Sequence, residues 1–380
     1  MNLDLTADQR AIRDEAGRFL DENSSSKDVR LIVDAGGGTD EALWRTVARD
    51  LGWCAMSIPE ECGGLGLGMT EMSLLMEVCG AHLACMPLWS TACLAAPLLV
   101  ETGNERARET LLPAIAGGEI SATVAWPALA HAEQLNAISA TARAEGDGYR
   151  LEGEVAMVAD LPGADLILVP ARLPDGTVAL FALDRTLPLK IAALKTLDAT
   201  RPLGALSLTD LAVPAEARVD ENGIGASAAE RALAFGILGL AAEQLGAARA
   251  VMDLTLAYIG ERVQFGRTIA SFQAIKHRCA KLEVDFAEAR SLVYGATAGF
   301  SDWSGEEANA EVAAARVLAS ELLFRAVEES IQLHGGVGFT WEYDPHLYFK
   351  RAQASNALLG APEGHLDAIA DAIIGRGAEV

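Results

Sequence analysis

The sequence predicts an α+β protein in three parts. These are an N-terminal helical domain over residues 1–118, a middle β-barrel or sandwich over 119–225, and a C-terminal four-helix-bundle-like domain over 226–380. Three observations predict this order. Apolar residues recur at helical spacing at both ends of the chain. Short β-like runs with Gly-Asp and Asp-Gly turns interrupt that pattern between about 120 and 215. One helical pattern then runs unbroken over 226–262, longer than any other in the chain. A length of 380 residues exceeds one typical domain, and 51% hydrophobic residues supply a large core.

In the first part, Thr6 stands as an N-cap with Asp8 in the first helical turn. The run TDEALWRTVARDLGW starts a helix from Thr39, and ECGGLGLGMT is a glycine-rich connection. The stretch 69–103 is nearly all apolar and reads as a buried helical hairpin. Glu71, Glu77, Pro87 and Ser90 break it too often for a membrane span. In the second part, Gly146-Asp147-Gly148 and Asp175-Gly176 mark hairpin turns. In the third, three long Ala-rich patterns predict antiparallel helices.

A formal charge of −23 argues against nucleic acid as a partner, because that needs a basic footprint. The six cysteines form no CxxC pair, and five of them fall in the apolar N-terminal region as buried thiols do. The first residues are amphipathic and lack an apolar signal core. The expectation is a soluble, cytoplasmic protein with no membrane span. No metal constellation is expected, since His277 and His334 sit far apart without an HxxxH arrangement. GLGLG at 64–68 follows a helical region and not a strand, so it is not a nucleotide loop.

The long helix carries Gly236, Gly239, Glu243, Gly246 and Ala250 at spacings of 3, 4, 3 and 4, hence on one face. Each glycine inside a helix costs about 0.5–1 kcal/mol relative to alanine, so something must approach this backbone. Two readings fit. Another helix packs there, with Glu243 salt-bridged to a neighbour, or a ligand lies in the trough. In the second case Glu243 is a desolvated general base with a raised pKa. Further on, Arg262 ends the helix, Phe265-Gly266 turns the chain and Gln273 opens the next helix. Near the end, IQLHGGVGFTWEYDPHLYFKR crowds Gln332, His334, Gly335, Gly336 and Gly338 at a helix terminus. A C-cap and turn explain such glycines; so does a backbone that must lie against a flat or phosphorylated ligand.

Three stretches, IPEECGGLGLGMTEMSLLMEVCG, AYIGERVQFGRTIASFQAIKHRCAKLEVDF and ESIQLHGGVGFTWEYDPHLYFKRA, resemble the acyl-CoA dehydrogenases in that order and over essentially the whole chain. The resemblance implies FAD bound across a dimer interface within a tetramer. Arg262, Phe265 and Gln273 match the family hairpin that holds the neighbouring subunit's FAD. Gln332, Gly335 and Gly336 match the loop that meets its diphosphate and adenosine half. The implied reaction is α,β-dehydrogenation of an acyl-CoA thioester, with electrons passing to an electron-transfer flavoprotein. Glu243 resembles the base of bacterial members that act on bulky acyl-CoAs, including steroid side chains.

The sequence also departs from the family. The C-terminal base position is Gly360, the early position on the long helix is Gly236, and Glu363 stands off the first of these. Of the family's Glu-Pro-x-x-Gly-Ser-Asp run over the flavin ring only Pro127 remains, and a Trp-x-Thr contact is replaced by Met157-Val158-Ala159. The half-site offered to the chain's own flavin is eroded, whereas the half-site offered to a neighbour is intact. The chain is thus expected to be either a homotetrameric dehydrogenase with Glu243 as base, or a half-site or non-catalytic subunit of a heterotetramer.

Overall fold

The structure, a computed structural model, describes residues 4–126, 135–220, 223–302 and 304–374. Pro127 lies outside them. The N-terminal part holds α1 (Ala7–Asn23), α2 (Ser26–Asp34), α3 (Glu41–Arg45), α4 (Met69–Ala81), α5 (Ala96–Thr102) and α6 (Leu112–Ala116). Thr6 caps α1 as its sequence predicts: its Oγ1 accepts from Gln9 N at 3.1 Å, and Gln9 Oε1 accepts from Thr6 N at 2.9 Å. At α3 the cap is Asp40, one residue after Thr39, because the Asp40 carboxylate reaches the N–H groups of Ala42 and Leu43. The apolar stretch after α4 breaks at His82 and resumes as a π-helical segment, Trp89–Ala95, that runs into α5. Cys54, Cys62, Cys79, Cys85 and Cys93 are all buried free thiols.

The middle part is a half-barrel of β1 (Ala122–Val124), β2 (Thr141–Glu145), β3 (Gly148–Ala159), β4 (Leu166–Arg172), β5 (Val178–Asp184), β6 (Lys190–Leu194) and β7 (Leu203–Pro214). The strand order is β1-β4-β2-β3-β7-β6, with β5 on the other edge of β4. The predicted hairpin turn at Gly146-Asp147 joins β2 to β3. Irregular register after Leu151 and after Val155 bends β3 around the barrel. Strands β4 and β5 are apolar on both faces because both are covered. Leu166, Leu168 and Leu180 join the helical core, while Ile167, Val169 and Phe181 fill the barrel.

The C-terminal part begins with α7 (Gly225–Glu261), a single helix of 37 residues. A short hairpin follows, β8 (Val263–Gln264) and β9 (Arg267–Thr268), then α8 (Gln273–Ala298), α9 (Gly305–His334), α10 (Pro345–Asn356) and α11 (Pro362–Ile374). α7 runs through the middle of the molecule, packing on α4 and the π segment on one side and on α8 and α9 on the other. Among the described residues no helix is long and apolar enough to cross a membrane.

Candidate functional site

The glycine face of α7 is where the structure differs most from the ligand-trough expectation. A methyl group on Gly246 would lie 1.7 Å from Glu77 O of α4, and one on Gly80 of α4 would lie 1.9 Å from Glu243 O. On Gly236 it would meet Leu94 Cδ2 at 2.2 Å, and on Gly239 it would meet Cys93 Sγ at 2.9 Å. The two helices touch backbone to backbone, and the π segment fills the rest. Trp89 Nε1 donates to Gly236 O at 2.9 Å. The face is therefore a helix-packing face, the first of the two readings, and not a ligand trough.

Glu243 is buried as expected, 2% exposed, but its environment is ionic. Arg201 Nη2 donates to Oε2 at 2.5 Å, and Arg351 Nη1 donates to Oε1. Arg351 also donates to Asp198 Oδ2 at 2.9 Å and to Thr200 Oγ1 and O. The Arg201 guanidinium lies 5.1 Å from the centre of the Trp89 ring. Burial alone pushes the Glu243 carboxyl up; Arg201 and Arg351 outweigh it and hold the group below the ordinary carboxylate range. The expectation of a raised pKa is thus overturned. Both carboxylate oxygens of Glu243 are committed to arginines.

The C-terminal base position offers no substitute. Gly360 has a left-handed φ of +88°, and Glu363 is exposed in the first turn of α11. The loop before α11 is tied down by Arg316, which is fully buried. Arg316 donates to Gln244 Oε1 at 2.8 Å and to the carbonyls of Ser355 at 2.8 Å and Leu358 at 3.2 Å. Burial lowers its pKa to about 10. Nearby, Asp160 sits in the barrel wall with φ +56°, accepts from Ser90 Oγ at 2.7 Å, and is pushed up by burial to about 6. Met157, at the replaced Trp-x-Thr position, is left-handed as well, φ +60°. Asp198, Thr200, Arg201 and Arg316 escaped the sequence reading. Their only signal is charge at apolar-flanked positions, which does not say what each meets.

The six other site residues all lie at the surface. Arg262, Phe265, Gln273, Gln332, Gly335 and Gly336 are all exposed. The hairpin turn has φ +56° at Phe265 and +78° at Gly266, the turn that matches strand twist. It carries the Phe265 side chain out, 93% exposed. Arg262 makes no ion pair or side-chain hydrogen bond among the described residues. The two motifs are joined from behind. Tyr258, one turn before Arg262, stacks on His334 with ring centres 4.2 Å apart. His334 Nδ1 meets Ser330 O at 2.7 Å. Gly335 needs to be glycine for its own backbone, φ +65° and ψ −142°. Gly336 does not: a methyl there would meet nothing within 4 Å.

Comparison with known proteins bears on this arrangement. The family model for the acyl-CoA dehydrogenase N-terminal domain matches residues 6–119, and that for the C-terminal domain matches 223–374. The chain is 32% identical to acyl-CoA dehydrogenase IpdE2 of Mycolicibacterium smegmatis over 95% of this chain and 97% of that one. Among solved structures it resembles the ChsE4-ChsE5 complex from Mycobacterium tuberculosis, with a TM-score of 0.89, 27% identity and full coverage of both chains. It also resembles the Tcur3481-Tcur3483 steroid enzyme, with a TM-score of 0.85 and 29% identity over 98% of this chain and 99% of that one. With matches at both ends, near-complete coverage and a shared fold, the chain belongs to the acyl-CoA dehydrogenase family of oxidoreductases.

Proposed function

We propose that the chain serves α,β-dehydrogenation of an acyl-CoA as one subunit of a mixed assembly, completing the flavin site of a related partner subunit. The observation that carries this reading is the contrast at the glycines. Those of the α7 stripe, Gly236, Gly239 and Gly246, are explained by the chain's own packing, whereas a methyl on Gly336 would meet nothing within 4 Å, and Gly336, Arg262 and Phe265 are all exposed. A bare residue, an unpaired guanidinium and a solvent-facing ring, all exposed, fit a surface that another molecule covers.

The residues present suit FAD bound mainly by the partner. The Arg262 fork matches phosphate oxygens of its diphosphate. The bare backbone at Gly336 lets the diphosphate approach closely. Phe265 offers an aromatic face, and Gln273 and Gln332 offer amide donors. When bound, FAD supplies the acceptor for the hydride that leaves the acyl β-carbon. This chain's part is to bind and orient. The carboxylate that takes the α-proton is assigned to the partner, since Glu243 is held by two arginines and Gly360 has no side chain. Electrons leave to an electron-transfer flavoprotein, as in the family. The ChsE4-ChsE5 complex and the paired Tcur proteins, each with two named chains, support a mixed assembly, and the second supports a bulky, steroid-like acyl group.

The test is purification of a tagged chain, once alone and once from its native host, with a visible spectrum and solution mass of each. The expected result is little or no flavin on the chain alone and a yellow complex with a second, related chain from the host. A homotetramer with stoichiometric FAD that oxidises acyl-CoA unaided would overturn the proposal and restore the self-sufficient enzyme.

A further inference from the structure

The segment that carries Gly335 and Gly336 is a short 3-10 turn, Gly335–Phe339, followed by a connection to α10. Thr340 N and Thr340 Oγ1 both reach Val337 O, at 3.0 and 2.9 Å, and Tyr343 N reaches Thr340 O at 3.4 Å. Gly335, Gly336, Phe339, Thr340, Trp341 and Glu342 are all exposed. An exposed connection of this kind is ordered largely by the contacts at its two ends. Its near end is fixed by the stack of His334 on Tyr258. Its far end is fixed from another part of the molecule. Arg30, on α2 of the N-terminal part, donates through Nη1 to Trp341 O at 2.6 Å and through Nε to Asp344 Oδ1 at 3.0 Å, with Nη2 on the same carboxylate oxygen. Ser26 Oγ lies 3.3 Å from Nε and steadies the guanidinium. One planar fork thus spans a carbonyl and a carboxylate that lie more than 300 residues away in sequence.

We infer that Arg30 is a positioning residue for the cofactor-facing loop, coupling the N-terminal helices to the half-site offered to the partner. The inference rests on the reading of this loop given under the proposed function. A loop fixed before the cofactor arrives binds it without a further ordering cost. Lysine replaces this fork only in part, because an ammonium on a flexible stem does not hold both acceptors in one plane.

The test uses Arg30→Ala and Arg30→Lys in the full chain. On the chain alone, hydrogen exchange of amides 337–343 is expected to quicken about tenfold in Arg30→Ala and less in Arg30→Lys, with exchange of the α7 amides unchanged. In the complex purified from the host, FAD affinity measured by flavin fluorescence is expected to fall about tenfold in Arg30→Ala, with partial rescue by lysine. Unchanged loop exchange would refute the anchor, whatever the cofactor does. Faster exchange with unaltered FAD affinity would refute its link to the half-site. A wild-type complex without FAD would instead sink the underlying functional reading, and this inference with it.

Discussion

Two glycine-rich regions of this chain look alike in sequence and differ in what they meet. Along α7, every glycine of the stripe is pressed by the chain's own atoms, down to 1.7 Å for a methyl on Gly246. At the end of α9, Gly336 would meet nothing within 4 Å. The first region is an internal joint. The second is bare on a surface that also shows Phe265 and Arg262. The lesson is that missing side chains report close approach, but only the fold says whether the visitor is the same chain or another molecule.

The sharpest way to break this comparison is at Glu243. If it is an internal ion-pair partner, Glu243→Gln strands two buried arginines and destabilises the chain by about 3–5 kcal/mol, read by urea denaturation. A general base would behave otherwise: the variant would melt like the parent and lose turnover only. Next comes Gly246→Ala, which drives a methyl into a backbone carbonyl and is expected to cost about 3 kcal/mol. A melting temperature equal to the parent's would reopen the trough. Gly336→Ala is the matching control. Its stability should stay within about 0.5 kcal/mol of the parent, while FAD retention by the host-purified complex falls. Equal retention would mean that the bare surface meets no cofactor.

A smaller effect separates two of the buried carboxyls, Asp160 and Glu243, by pH. Asp160 is raised to about 6 by burial, so the folded state binds its proton more tightly than the unfolded state does. Its contribution is fully present at low pH and is lost as pH rises through about 6. Relative to Asp160→Asn, the parent should therefore lose about 2 kcal/mol between roughly pH 4 and pH 7. Glu243 runs the other way: its lowered pKa gives stability that is present above the ordinary carboxylate range and lost as pH falls below it. Parallel pH curves for the parent and Asp160→Asn would show that Asp160 is not buried in this way.

Much of the fold was legible because its signals are local. Thr6 with Gln9, the turn at Gly146-Asp147 and the length of α7 are each written within a few residues or in one unbroken period. The surface motifs of the proposed half-site were visible for the same reason, since Arg262 to Gln273 and Gln332 to Gly336 are contiguous runs. The interior was not. Periodicity placed Glu243 correctly on the buried face. It could not reveal that the charges deciding its pKa come from Arg201 and Arg351, 42 and 108 residues away. Nor could it distinguish α4 from an acyl chain as the body lying on Gly246. Arg316 was invisible in a different way, since its partners are mostly backbone carbonyls, which leave no mark in a sequence.

The cluster around Glu243 joins the β module to two helices of the C-terminal part: Asp198, Thr200 and Arg201 from the β module, Glu243 from α7 and Arg351 from α10. That has a consequence for how such a protein can diverge. Losing any one of these charges strands another where water cannot reach it, so the first step away from the arrangement is the costly one. Descendants can leave it only by exchanging acid and base together, or by swapping the whole set for apolar residues of matching volume. In this corner of the molecule, drift proceeds by pairs or not at all.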